Sequence, residues 1–244
     1  MGDGEGGVLH FGERDCTMQR RYQKMVEEAP ASWLPDELRL RIHQAAVDLL
    51  SSIFYLNAGT VEFLYDEQRR EFYFMEVNAR IQVEHPVSEQ VSGVDLIQLQ
   101  LAVASGEGIG LTQSDICQSG HAIEIRVLAE DPSNNFMPSP GRLSRWRPPV
   151  GDGVRLDSAM HEDAVVPPYY DSMIAKLIVT GRDRPEAIER LLVAIDAFEV
   201  DGISTNLRLA RFAINHPDFR TDEIDTNWAE RVLMPAFNSK ERLL

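Results

Sequence analysis

The chain reads as an α+β protein, with antiparallel strands and helices segregated around them. Three observations carry this reading. Residues 59–66 and 71–76 are rich in β-branched and aromatic side chains and are joined by the polar run Glu67-Gln68-Arg69-Arg70, the pattern of a hairpin. Residues 121–128 alternate apolar and polar side chains as a strand does. Two segments, opening at Pro35 and at Asp183, repeat apolar residues at helical spacing.

Taken in order, residues 1–7 are Gly-rich and read as the tip of a hairpin, with 8–16 as the strand that leaves it. Gln19 to Lys24 is a basic segment, either solvated or facing a ligand. Pro35-Asp36-Glu37 opens a helix whose buried stripe is Leu38, Ile42, Ala45, Ala46, Leu49 and Ile53. His43 lies off that stripe and is expected at the surface. Asn57-Ala58-Gly59 ends this segment before the hairpin. Residues 87–105 read as a helix interrupted at Gly93, with Asp95 capping a second part that contains Leu96, Leu99 and Val103. The loop 106–110, with glycines at three of five positions, marks a subdomain boundary. The expected organisation is therefore 1–108 and 109–244, packed together as one unit. Beyond it, Pro138-Ser139-Pro140-Gly141 is a turn, and 143–146, 154–157 and 174–179 are strands. Asp171 is either a turn cap or an orienter of Lys176. Asp183 caps a helix with Glu186 three residues on, and Ile188, Leu191, Leu192, Ile195 and Phe198 form its buried stripe. Helices over 206–214 and 228–234 end the chain, with Trp228 read as core.

Composition narrows the function classes. The 244 residues are 43% hydrophobic and 26% charged, ordinary for a globular protein with ample core. A formal net charge of −15 disfavours nucleic acid and anionic membranes as partners. No apolar run approaches the roughly 20 residues of a membrane span. Two distant cysteines, Cys16 and Cys117, offer no disulfide framework and no zinc spacing, which fits a reducing compartment. The expected location is the cytoplasm; a mitochondrial one is left open for a eukaryotic source, since any targeting segment would lie upstream.

The chemistry concentrates in residues 72–86. Glu76, Asn78, Arg80, Gln82 and Glu84 fall two residues apart, so an extended chain would project all five to one side. Glu76 and Asn78 suit a hard cation such as magnesium. Arg80 suits an oxyanion. Glu84 stands at the far end as a base. The hairpin lets Glu62 and Glu76 meet across strands, and two close carboxylates are costly unless a cation or proton lies between them. A solvated, mixed-charge sheet face is the plain alternative.

Glu62, followed by Met75-Glu76-Val77-Asn78-Ala79-Arg80-Ile81-Gln82-Val83-Glu84-His85-Pro86-Val87, resembles the ATP-grasp core of biotin carboxylase, the ATP-dependent half of biotin-dependent carboxylases such as acetyl-CoA carboxylase. Glu76-x-Asn78-x-Arg80 alone fits many ATP-grasp ligases, carbamoyl-phosphate and purine-pathway enzymes included. Gln82-Val83-Glu84-His85-Pro86 is far more specific. The resemblance continues through residues 13–24, Gly120-His121-Ala122-Ile123-Glu124-Ile125-Arg126 and 167–176.

The resemblance implies the C-terminal half of an ATP-grasp fold, an antiparallel sheet flanked by helices, continuing into the biotin carboxylase C-terminal subdomain. It implies ATP- and bicarbonate-dependent carboxylation of biotin on a carrier protein, by way of carboxyphosphate. Glu62 and Glu76 would bind Mg2+ or Mn2+, with Asn78 assisting; Gln19, Glu62, Leu64 and Glu76 would line the ATP. Lys24, Arg80, Gln82 and Val83 would hold bicarbonate, Glu84 would be the base, and Arg126 would stabilise the biotin enolate. Family members often carry histidine at position 22, so Tyr22 receives no role. The implied partners are a biotin carboxyl carrier protein or domain, a carboxyltransferase component and a second copy in a homodimer. No Gly-x-x-x-x-Gly-Lys motif occurs in the chain, and the phosphate-gripping lysines of the family would lie upstream. The chain is therefore expected to be inactive alone. The competing expectation is a non-catalytic binding or assembly module derived from a carboxylase.

Overall fold

The computed structural model describes residues 1–241. In chain order the principal elements are β1 (Gln19–Arg20), β2 (Gln23–Lys24), β3 (Val26–Ala29), α1 (Asp36–Ser52), β4 (Thr60–Asp66), β5 (Glu71–Asn78), α2 (His85–Ser92), α3 (Leu96–Ala104), β6 (His121–Leu128), β7 (Val154–Asp157), β8 (Met173–Gly181), α4 (Arg184–Ala197), α5 (Leu207–Ile214) and α6 (Met234–Glu241). All strand pairings among them are antiparallel.

The chain divides into two compact units, Met1–Arg14 with Pro30–Ser119, and Asp15–Ala29 with Gly120–Leu244. This differs from the expected 1–108 and 109–244 in two ways. The glycine loop is not the boundary, because Ser119 still donates from its backbone to Val91 O at 2.8 Å. Residues 15–29 belong to the second unit because β3 pairs with β6 over four residues, from Val26 opposite Ile125 to Ala29 opposite Ala122.

In the first unit, β4 and β5 form a two-stranded sheet. α2 ends at Gly93, whose φ of +71° is the left-handed conformation that closes a helix. Asp95 then caps α3 by accepting from Gln98 N at 2.8 Å, and Leu96, Leu99 and Val103 are buried as their spacing predicts. The strand expected over 8–16 does not form. Gly2–Asp3 is a two-residue strand that pairs with Leu56–Asn57 and bridges to Val8, so only the hairpin tip is realised. In α1 the buried residues are Leu38, His43 and Leu50, and Ile53 is exposed just beyond the helix. His43 is thus inside rather than at the surface: Glu13, on the chain before the helix, draws its Nε2 to 2.8 Å.

The second unit has a larger core. Its four-stranded sheet runs β7-β8-β6-β3. Ile123, Ile125 and Val127 of β6 and Leu177 and Val179 of β8 pack with Ile188, Leu191, Leu192 and Ile195 of α4. Each such side chain removes roughly 1.5–3 kcal/mol of hydration cost on burial, which sums to the main stabilising term here. Asp183 caps α4 by accepting from Glu186 N at 2.9 Å. Trp228 is buried, its Nε1 donating to Asp218 at 2.8 Å. Asp171 is a turn cap, accepting from Met173 N at 2.8 Å, while Lys176 pairs instead with Asp157 at 3.3 Å.

Candidate active-site residues

The β4–β5 hairpin sets the first group. Its register slips between Glu62 and Phe63: Glu62 faces Glu76 and Phe63 faces Phe74, leaving Met75 as the extra residue of a bulge. The slip keeps Glu62 opposite Glu76 and Thr60 opposite Asn78. The amide nitrogen of Asn78 donates to Glu62 Oε1 at 3.1 Å and to Glu76 Oε1 at 3.0 Å. Gln82 Nε2 donates to the same Glu62 oxygen at 2.6 Å. Four of the residues read from the sequence therefore meet in one hydrogen-bonded cluster. Leu64 lies further along β4, half exposed opposite Tyr73.

The expected alternation does not continue beyond this cluster. β5 ends at Asn78, and residues 83–84 form a turn. Pro86 sits in the first turn of α2, where its fixed φ suits the helix and forbids a continuing strand. Gln82 and Glu84 are consequently buried, whereas Arg80 is exposed, with Nη1 on the Ile81 carbonyl at 3.1 Å. Glu84 precedes α2 as its first flanking residue, and Val83 is half-buried beside it. Arg14 braces this turn by donating to Gln82 Oε1 at 2.8 Å, Thr60 Oγ1 at 3.1 Å and Ser88 Oγ at 3.1 Å. The sequence reading gave Arg14 no role, because nothing in its neighbourhood distinguishes a brace from a surface arginine.

The remaining predicted residues lie in the second unit. Gln19 and Lys24 face each other across β1 and β2. The turn between them places Arg21 and Tyr22 at φ of 48° and 63°, and Tyr22 is almost fully exposed. Arg126, on β6, donates from Nε to Glu27 Oε1 at 2.7 Å and lies opposite Lys176 of β8. Glu27 was also missed, since a short strand reading Val-Glu-Glu-Ala carries no hydropathy signal.

Two carboxylates with an adjacent amide fit magnesium held partly by nucleotide phosphates and water, the usual arrangement for that ion. Among the described residues, no group of three or more His, Cys, Asp and Glu side chains forms a self-sufficient metal cage. No helix among them is long and apolar enough to cross a membrane.

Residues 1–112 match the family model described as the carbamoyl-phosphate synthase L chain, ATP binding domain, and residues 124–231 match the biotin carboxylase C-terminal domain. The chain is 48% identical over 230 residues to "Biotin carboxylase 1" of Bacillus subtilis (strain 168), covering 94% of this chain and 51% of that protein. It superposes with a TM-score of 0.91 on a biotin carboxylase–nucleotide complex from Campylobacter jejuni, at 46% identity, covering 95% of this chain and 51% of that one. The biotin carboxylase domain of Hydrogenobacter thermophilus 2-oxoglutarate carboxylase, solved with MgADP, ADP and bicarbonate, gives a TM-score of 0.91 at 42% identity, over 94% of this chain and 51% of that one. The chain spans about half the length of the relatives it matches.

Proposed function

The chain belongs to the biotin carboxylase family, and on that premise we propose that it carries part of the machinery for ATP- and bicarbonate-dependent carboxylation of carrier-bound biotin. The observation that supports this most is the opposed Glu62–Glu76 pair, closed by the amides of Asn78 and Gln82. A bare pair of carboxylates on adjacent strands is unfavourable, and this pair has the ligand set that a nucleotide-bound divalent cation completes.

In this reading Glu62 and Glu76, with Asn78, hold Mg2+ or Mn2+, which neutralises phosphoryl charge when bound. Gln19 and Leu64 line the nucleotide together with the two glutamates. Lys24, Arg80, Gln82 and the Val83 backbone hold bicarbonate. Glu84 removes its proton as it attacks the γ-phosphoryl group; the bond from the γ-phosphorus to the bridging oxygen breaks, ADP leaves and carboxyphosphate forms. Glu84 is buried beside the turn that carries Gln82, so its position is set by packing rather than by a mobile loop. Positioning of this kind is what a general base needs first. Arg126 then stabilises the oxygen of deprotonated biotin, an electrostatic contribution of the kind that often dominates catalysis. The carrier protein or domain, a carboxyltransferase component and a second copy of the carboxylase are the proposed partners. The chain covers about half of its relatives' length, and the proposed turnover needs the other half.

The test is bicarbonate-dependent, biotin-stimulated ATP hydrolysis, measured for the 244-residue chain and for a protein extended to the relatives' full length. Turnover is expected only in the extended protein, and Glu84→Gln should abolish it. An extended protein with no hydrolysis would overturn the reading; wild-type turnover in Glu84→Gln would overturn the assignment of the base.

A further inference from the structure

One face of the second unit's sheet carries a row of charges that crosses its strands. Asp157 of β7 lies opposite Lys176 of β8, and Lys176 lies opposite Arg126 of β6. Two cations directly opposite on neighbouring strands repel each other. Each is drawn outward by an acid. Lys176 Nζ is 3.3 Å from Asp157, which also takes Arg155 Nε at 2.8 Å. On the other side, Arg126 contacts a single oxygen of Glu27, with Nε at 2.7 Å and Nη2 at 2.6 Å. Glu27 itself is fully buried on β3, opposite the equally buried Glu124 of β6.

We infer that Glu27 is the positioning residue of Arg126: it fixes the guanidinium on the β3 side of the sheet, away from Lys176. The placement is costly, since a buried carboxylate facing another carboxylate is unfavourable without a cation. Replacing both Glu27 and Arg126 by apolar residues of similar size would stabilise the sheet as well or better, so stability alone does not account for the pair here. Arginine has a long side chain with many rotamers, and two nitrogens held on one oxygen of a fully buried partner restrict it to the β3 side. The functional consequence rests on the reading of Arg126 as the residue that meets the biotin oxygen; the anchor itself rests on geometry alone.

The experiment follows arginine Nε–Hε resonances by NMR in the 244-residue chain, with Arg126 assigned through Arg126→Lys. Glu27→Gln should speed exchange of the Arg126 Hε by about tenfold or more, as expected when a buried charged acceptor is lost. Glu27→Asp, which keeps the charge but withdraws it by one carbon, should act in the same direction. The Arg184 Hε, bonded to neighbouring Glu28 at 2.7 Å, is the internal control for a folded β3. If Glu27→Gln also releases Arg184, the Asp variant decides. Unchanged Arg126 exchange with Arg184 intact would overturn the inference. In the full-length protein Glu27→Gln should lower kcat about tenfold or more while leaving the KM for ATP in place. If Arg126→Lys leaves turnover untouched, the reading of Arg126 fails while the anchor is still judged by its exchange.

Discussion

Replacing Glu28 by Gln would test a buried ion pair in the second unit. Arg184 binds Glu28 through both carboxylate oxygens, Nε to Oε2 at 2.7 Å and Nη2 to Oε1 at 2.9 Å. It also donates to Phe219 O at 2.8 Å and pairs with Asp222 at 2.7 Å. His121 Nε2 lies 2.8 Å from Glu28 Oε2. All three of Glu28, Arg184 and His121 are buried. Glutamine keeps the shape and removes the charge. Breaking a buried pair from one side costs about 3–5 kcal/mol, and since Asp222 still faces Arg184 we expect about 3 kcal/mol. For a chain of this size that is a fall in Tm of roughly 6–12 °C. Urea unfolding followed by tryptophan fluorescence reads it, because Trp146 and Trp228 are buried in the second unit; Trp33→Phe removes the signal of the first. Adding Arg184→Met should recover part of the loss, because the uncompensated charge is gone. The pH dependence supplies an independent check. Burial pushes the Glu28 pKa up, but the bonds from His121 and Arg184 outweigh it and hold the group below its ordinary 4.5. A depressed carboxylate stabilises the fold above its unfolded pKa and loses that contribution as pH falls through the folded value. The gap between wild type and Glu28→Gln should therefore be full at neutral pH and close in acid. A variant within about 1 kcal/mol of wild type at pH 7, the range of an ordinary neutral hydrogen bond, would refute this account.

Two further outcomes are expected. Asp183→Ala removes the cap of α4 and should lower stability by about 1 kcal/mol, read as a shift in urea midpoint at constant slope. His10 lies tilted against His43 with ring centroids 4.1 Å apart, and burial, then the neighbouring His43, lower its pKa to about 4 against a lesser opposing pull from Glu13. NMR titration should place His10 near 4, and stability of the first unit should decline as pH falls from its unfolded 6.5 towards 4, a slope that His10→Asn removes.

Much of the architecture was legible where one local signal met one period. α3 begins just after its cap Asp95 and α4 just after Asp183, as those residues indicated, and β6 and β7 occupy the predicted spans. The Glu62–Glu76 pairing was legible too, because a hairpin with a polar turn has few registers. What failed depended on distant partners. The alternation from Glu76 to Glu84 looked like one strand face, yet α2 starts at His85 and turns the last residues inward. His43 looked solvated because the acid that buries it lies thirty residues earlier. β3 was invisible because half of its residues are glutamates, neutralised by arginines that arrive about a hundred residues later or more.

The membership of β3 in the second unit has a consequence for biosynthesis. The segment leaves the ribosome before its pairing partner: β6 ends at Leu128, and the sheet is complete only at Gly181. At ordinary translation speeds of about 5–20 residues per second, β3 waits roughly 8–30 s for a finished sheet. A nascent four-residue strand of purely apolar side chains would be an aggregation hazard over that interval. Two of its four residues, Glu27 and Glu28, are instead charged, the composition that lowers this hazard. The same dependence means that cleaving the chain at 119/120 yields no autonomous C-terminal piece, since residues 120–244 would lack their outer strand and the carboxylates that hold Arg126 and Arg184.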